Sequence, residues 1–240
     1  MRPKPRLADD VEPVLLRIMS LAPVSAAEIQ LLRDVQPQQV VRARREILSE
    51  GAVVEAPMLL LSGWAARYRL LMDGRRQILG VVLPGELLCH QQHRGPVALS
   101  SAVALTDVVL SAAPAADRTG NTAGLEEAYA VSAALNEHYL LQQIVRLGRM
   151  SALERIADWL LEVRERLLAV GLVSGNAIHL PVTQELIADT LGLTSVHVNR
   201  TIQTMRREGL VEIRGGWVTF LNVDKLRAMV DFRAPTFTRS

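Results

Sequence analysis

Cysteine is almost missing from this chain: Cys89 is the single one among 240 residues. One thiol excludes an internal disulfide framework, a zinc site built on paired cysteines and a four-cysteine iron–sulfur cluster. The expected setting is reducing and cytoplasmic. An excess of one charge is missing too. Twenty-seven Lys and Arg against 25 Asp and Glu leave a formal net charge of +2, so any basic surface must be local. The pI near 9.0 permits a nucleic-acid partner without requiring one. No stretch approaches the roughly 18 uninterrupted apolar residues of a membrane span. The basic opening "MRPKPRLADDVEPVLL" is broken by Asp9, Asp10, Glu12 and prolines, and does not read as a signal peptide. No nucleotide-binding glycine loop follows a strand pattern and no Ser/His/Asp set sits in a recognisable motif, so an enzyme is not expected.

What remains is ordinary globular material, 49% hydrophobic and 22% charged, enough for one large or two ordinary domains. Residues 14–35 show helical spacing broken near Pro23 and Ser25 and read as two short helices. From about Val40 to Ser111 short apolar runs are punctuated by Gly51, Gly63, Gly74 and Gly85, the pattern of a compact antiparallel roll. Asp73-Gly74 between alternating runs is a hairpin signal. Ala113–Thr122 is a loop by composition. Helical spacing then runs from about Leu125 to Val170, with a break expected near Gly148–Ser151. Leu135, Tyr139, Gln142, Val145 and Arg149 recur at steps of three and four, a candidate dimer seam. The segment "VSGNAIHLP" reads as a loop.

The most informative stretch is "TQELIADTLGLTSVHVNRTIQTMRREGL" (Thr183–Leu210). A short helix ends at Gly192, which supplies a positive-φ turn position, and carries small Ala188 where a second helix can approach. That second helix starts at Thr194 or Ser195, hydroxyl residues suited to capping, and runs to Glu208. Val198, Ile202 and Met205 lie on one buried stripe. Val196, Asn199, Arg200 and Gln203 share another face, with Arg206 and Arg207 beyond, so amide and guanidinium groups point outward where they can pair with base edges. This is a helix-turn-helix pattern. "LVEIRGGWVTFL" follows as a small hairpin, a wing, with Arg214 at its tip. A protein-docking module would not need that polar reading face.

These residues carry a resemblance. "LPVTQELIADTLGLTSVHVNRTIQTMRREGLVEI" is similar to the winged helix of the Crp/Fnr transcription regulators. The likeness extends upstream through "LGRMSALERIADWLLEVRERL" and "GRRQILGVVLPGE". It implies an α+β architecture: N-terminal helices and a cyclic-nucleotide-binding-like antiparallel β-roll over 1–122, a long dimerisation helix over 123–150, and a winged helix-turn-helix over 151–240. It also implies a homodimer on an inverted-repeat operator in double-stranded DNA, its recognition helices roughly 34 Å apart, with RNA polymerase as a further partner. The candidate DNA contacts are Thr183, Thr194, Ser195, Val196, His197, Asn199, Arg200, Gln203, Arg206 and Arg214. Arg200 stands where the family places a guanine-contacting arginine. Asn199 stands where Ser or Gly is common. Val196 replaces a glutamate that reads cytosine, and suits a thymine methyl instead.

The family's cyclic-nucleotide binders carry a second Gly-Glu pair and then Arg-Ser. Here Pro84-Gly85-Glu86 reads as a structural turn, Ser100-Ser101 lack the arginine and Arg94 is the nearby cation. The expectation is therefore a regulator that does not respond to cAMP and holds no cofactor. The alternative is a gas or redox sensor using haem or another ligand at Cys89, His90 and His93. The carbon-monoxide-sensing members carry Cys-x-His at a similar place, where this chain has Gln91 in the histidine slot.

Overall fold

The computed structural model describes residues 11–89, 96–117 and 120–235. The described chain divides into two compact units. One comprises residues up to Ala65 with Val82–Ser132, the other Ala66–Val81 with Ala133 onward.

In the first unit, helices α1 (Glu12–Leu21) and α2 (Ala26–Arg33) match the expected pair. Helix α2 starts at a capping box: Ser25 accepts from the Glu28 amide, and the Glu28 carboxylate accepts from the Ser25 amide at 2.6 Å. Glu28 also accepts from the Leu125 amide at 2.8 Å, so one buried carboxylate caps α2 and the start of α3 (Ala123–Arg149). Burial pushes the Glu28 carboxyl up, but the hydrogen bonds from Ser25, Leu125 and Gly124 outweigh it and hold its pKa below the ordinary value.

The roll comprises β1 (Gln39–Val41), β2 (Glu46–Leu48), β3 (Met58–Ser62), β4 (Ala65–Leu70), β5 (Arg76–Val82), β6 (Leu87–Leu88), β7 (Ser101–Ala104) and β8 (Val108–Ala112). Strands β1, β8, β3 and β6 form one antiparallel sheet in that order, with Leu60 opposite Leu110 and Val41 opposite Val108. Strand β2 pairs antiparallel with β7. Leu60, Leu88, Ala104 and Val108 are fully buried between them. Strands β4 and β5 flank the expected turn at Asp73-Gly74, where Gly74 has φ +84°.

The larger segment of the second unit begins within α3. Of the five positions of the expected seam, Leu135, Tyr139 and Gln142 are engaged within the chain, while Val145 and Arg149 are exposed. Leu135 is buried, Tyr139 lies under the Arg166 guanidinium at 4.6 Å, and Gln142 donates to both Asp158 carboxylate oxygens at 3.2 Å. The apolar side chains left exposed are Leu141, Ile144 and Val145. At 3.6 residues per turn these lie beside the stripe 135–139–142, from which Tyr139 and Gln142 meet the chain's own α4 (Ala152–Leu168). The break between α3 and α4 falls at 150–151, as expected, and Ser151 with Glu154 forms a second capping box.

Beyond α4 come β9 (Val173–Ser174), β10 (Ala177–His179), α5 (Gln184–Leu191), α6 (Ser195–Arg207), β11 (Val211–Arg214), β12 (Trp217–Phe220) and α7 (Val223–Val230). The loop expected around "VSGNAIHLP" is instead a hairpin that extends the wing into a four-stranded sheet, β11-β12-β10-β9. Its strands are too short to show alternation. Pairing of Ile178 with Val218, both fully buried, makes them strands. Helix α7, capped by Asn222 and anchored through buried Leu226, has no counterpart in the sequence reading. Among the described residues no helix is long and apolar enough to cross a membrane.

Candidate nucleic-acid interface

Helix α6 begins where the Thr194 hydroxyl accepts from the His197 amide at 3.2 Å. Val198, Ile202 and Met205 are buried along its inner side as their spacing predicts. Thr201 is also buried and returns its hydroxyl to the His197 carbonyl at 2.9 Å. The outer side presents Ser195, Val196, His197, Arg200 and Gln203, all exposed, with Asn199 half-buried. No acid stands in the first turn of α6, and Arg206 and Arg207 close it. The macrodipole and the side chains therefore favour an anion at the N-terminal end and along the face.

Helix α5 starts with the Thr183 hydroxyl accepting from the Leu186 amide at 3.2 Å. It ends at Gly192, φ +62°, where the amides of Gly192 and Leu193 both return to the Ala188 carbonyl. Buried Ala188 lies in the last turn, as a close helix crossing requires. Carbonyls at the end of α5 lack intrahelical partners. Gln77 donates to those of Asp189 and Thr190 (3.0 and 3.2 Å), Gln143 to Thr190 (2.5 Å) and Arg155 to Leu191 (3.0 Å). Arg76 adds an ion pair to Asp189 at 2.7 Å. The turn between the two helices is thus held from β5, α3 and α4 at once.

Behind it lies a buried ionic cluster. Arg146, 1% exposed, donates to Asp158 (2.8 Å), Glu162 (2.8 Å) and Gln143 (2.6 Å). Arg166 completes the charge balance with Glu162 at 2.9 Å and the Val81 carbonyl at 2.7 Å. Sequence reasoning missed this set. Its signal was charged residues on the inner side of an amphipathic helix, which looks the same as a solvated face until the partner helix is placed.

The wing carries Arg214 exposed beside the turn at Gly215 and Gly216. Arg206 reaches the Ile213 carbonyl at 2.6 Å, so it ties the end of α6 to the wing strand. His179 packs against Trp217 with ring centroids 5.2 Å apart, and burial pushes its pKa below the usual histidine value. A further residue joins the face from α5. Gln184 accepts from Asn199, and Asn199 accepts from Gln203, placing three carboxamides in a row.

Cys89 is half-buried with φ +62°, while His90, His93 and Arg94 lie outside the described residues. Among the described residues no three His, Cys, Asp or Glu side chains form a metal-holding group. Glu86 is committed within the roll: it accepts from the Leu83 amide at 3.0 Å and pairs with buried Arg17 at 3.8 Å.

Comparison with known proteins places both units. Residues 154–229 match the Crp-like helix-turn-helix domain and residues 38–118 the cyclic nucleotide-binding domain. The nitrogen fixation regulation protein FixK of Bradyrhizobium diazoefficiens is 31% identical over 213 residues, covering 86% of this chain and 87% of that protein. The chain belongs to the Crp/Fnr family of transcription regulators. The transcriptional activatory protein AadR of Rhodopseudomonas palustris, a second relative, is 31% identical over 187 residues, 78% of each chain. The structure of FixK2 from Bradyrhizobium japonicum superposes with a TM-score of 0.68 at 25% identity, covering 82% of this chain and 98% of that one. In this Crp/Fnr protein the family's helix-turn-helix match contains α5, α6 and the wing in full.

Proposed function

We propose that this protein is a sequence-specific, homodimeric regulator of the cytoplasm that binds inverted-repeat operators, works with RNA polymerase and does not respond to cAMP. The observation that carries the reading is the outer side of α6: exposed Val196, Arg200 and Gln203 with Asn199 among them, on a helix that follows an α5 whose end is held from β5, α3 and α4. Thr183 and Thr194 cap the two helices, and Ser195, His197, Arg206 and Arg214 border the face. The exposed stripe Leu141, Ile144 and Val145 on α3 supports pairing with a second copy, which a twofold operator demands. Independence from cAMP is supported by the internal commitment of Glu86 and by Ser101, whose hydroxyl accepts from the Glu50 amide at 3.0 Å.

The test is selection of bound duplexes from a random pool by the purified chain, alongside sedimentation. A dimer and an inverted repeat are expected. Ile144→Glu should give monomers with weakened operator binding, and Arg200→Ala should cost about 1–3 kcal/mol and relax one guanine position. A monomeric wild type, or no preferred duplex at any salt concentration, refutes the proposal. The roll is taken to work without a cofactor; a Soret band after reconstitution with haem overturns that part.

A further inference from the structure

The three carboxamides across α5 and α6 form a directed chain. Gln203 Nε2 donates to Asn199 Oδ1 at 2.9 Å, and Asn199 Nδ2 donates to Gln184 Oε1 at 3.1 Å. Hydrogen bonds in series polarise one another. The direction also sets how the central amide lies. Turning Asn199 over by itself would set oxygen against Gln184 Oε1 and nitrogen against Gln203 Nε2, two like-against-like contacts. In this row Asn199 sets its oxygen end toward Gln203 and its nitrogen end toward α5.

A carboxamide offers two N–H donors and two acceptor lone pairs. The row consumes one of each at Asn199, leaving one donor and one acceptor on the same planar group. Adenine presents the complement in the major groove, its N7 accepting and its N6 amino group donating. Neighbouring Arg200 is exposed and suited to the two acceptors of guanine, and Val196 one turn earlier is 62% exposed and apolar. The face thus carries three different base preferences within five residues. Gln184 retains both its N–H donors and stands in the first turn of α5, immediately after the Thr183 cap.

We infer that Asn199 reads an adenine in each half-site by a paired hydrogen bond, and that Gln184 and Gln203 are positioning residues that hold its amide for that contact. The inference rests on the DNA-reading role proposed for α6 and adds one base to it. Neither Gln184 nor a task for Gln203 beyond general contact is legible in the pattern of α6 alone.

The experiment is duplex selection with the full-length wild type, Asn199→Ser, Gln184→Ala and Gln184→Glu, each checked for fold by circular dichroism. The wild type should favour A·T at one position per half-site by about 5- to 100-fold. Asn199→Ser should lose that preference and keep the guanine preference of Arg200. Gln184→Ala should narrow the adenine preference. Gln184→Glu, which keeps an oxygen facing Asn199 Nδ2, should retain it even where overall affinity falls. An unchanged profile in Asn199→Ser, or a half-site with no adenine position, overturns the inference and leaves the regulator reading standing. Equal weakening of all duplexes by Gln184→Ala overturns its positioning role. A wild type with no preferred duplex sinks the functional proposal itself.

Discussion

Replacing Arg146 by methionine tests how the second unit holds its helix-turn-helix. The methionine keeps most of the volume and deletes the guanidinium. Asp158 (0% exposed) then retains the two Gln142 contacts at 3.2 Å, and Glu162 (8% exposed) retains Arg166 at 2.9 Å. Two buried carboxylates are left facing one cation. Removing one partner from a buried ion pair costs about 3–5 kcal/mol. A Coulomb estimate gives the same scale, about 4 kcal/mol for unit charges 4 Å apart at an effective dielectric near 20. The melting temperature of the second unit should fall by roughly 10–20 °C, at about 3–5 °C per kcal/mol for a unit of this size. The loss should reach the reading face, because Arg146 holds the Oε1 of Gln143, whose Nε2 donates to the Thr190 carbonyl at the end of α5. The assay is thermal and urea unfolding of Arg146→Met, of Asp158→Leu and of the double variant. The double variant should recover at least half of the single loss, since it removes one charge of each sign. A cost below about 1 kcal/mol in Arg146→Met, or strict additivity in the double variant, refutes the reasoning.

Further consequences can be measured directly. Val196→Glu should introduce a cytosine preference at one position of each half-site, and an unchanged selection profile would count against the assignment of that face. Burial lowers the pKa of His179, so its contribution is complete above the ordinary histidine pKa and is lost as pH falls through its lowered native value. The second unit should accordingly melt lower at about pH 5 than at pH 7, and His179→Asn should flatten that difference; parallel profiles would exclude His179 as the cause. Gly85 has φ +86°, and a side chain there would meet the Pro13 carbonyl at 2.5 Å and the Arg17 Cβ at 2.9 Å. Gly85→Ala should therefore cost about 2–4 kcal/mol from strain and overpacking together. Gly74→Ala, at φ +84° in open space, should cost only about 1–2 kcal/mol. Equal unfolding midpoints for the two variants would show that the α1 contact carries no weight.

The extent of what was legible differs between elements for physical reasons. Helix α6 was readable to within a residue, because Thr194 as cap, the buried spacing of Val198, Ile202 and Met205, and Gly192 at the turn are all local signals. The β4–β5 hairpin and the break between α3 and α4 were readable for the same reason: a turn or a cap acts over four residues. The β9–β10 hairpin was not, since strands of two and three residues carry no period and exist because β12 offers an edge.

The expected seam on α3 mixed two stripes of one helix, with Leu135, Tyr139 and Gln142 engaged within the chain and Val145 and Arg149 exposed. Periodicity identifies the stripes and cannot say which one α4 will cover. By itself the sequence determined the element types outside β9, β10 and α7, the main turn positions and the polar character of the outer side of α6, all set by local residue patterns over short range. Only tertiary structure decided which charges are buried together, as with Arg146, Asp158, Glu162 and Arg166, and which amides line up, as with Gln184, Asn199 and Gln203. The pairings that join different helices, Arg146 with Asp158 and Glu162 and Asn199 with Gln184, span 12 to 16 positions, and their energy appears only when packing excludes water from between them.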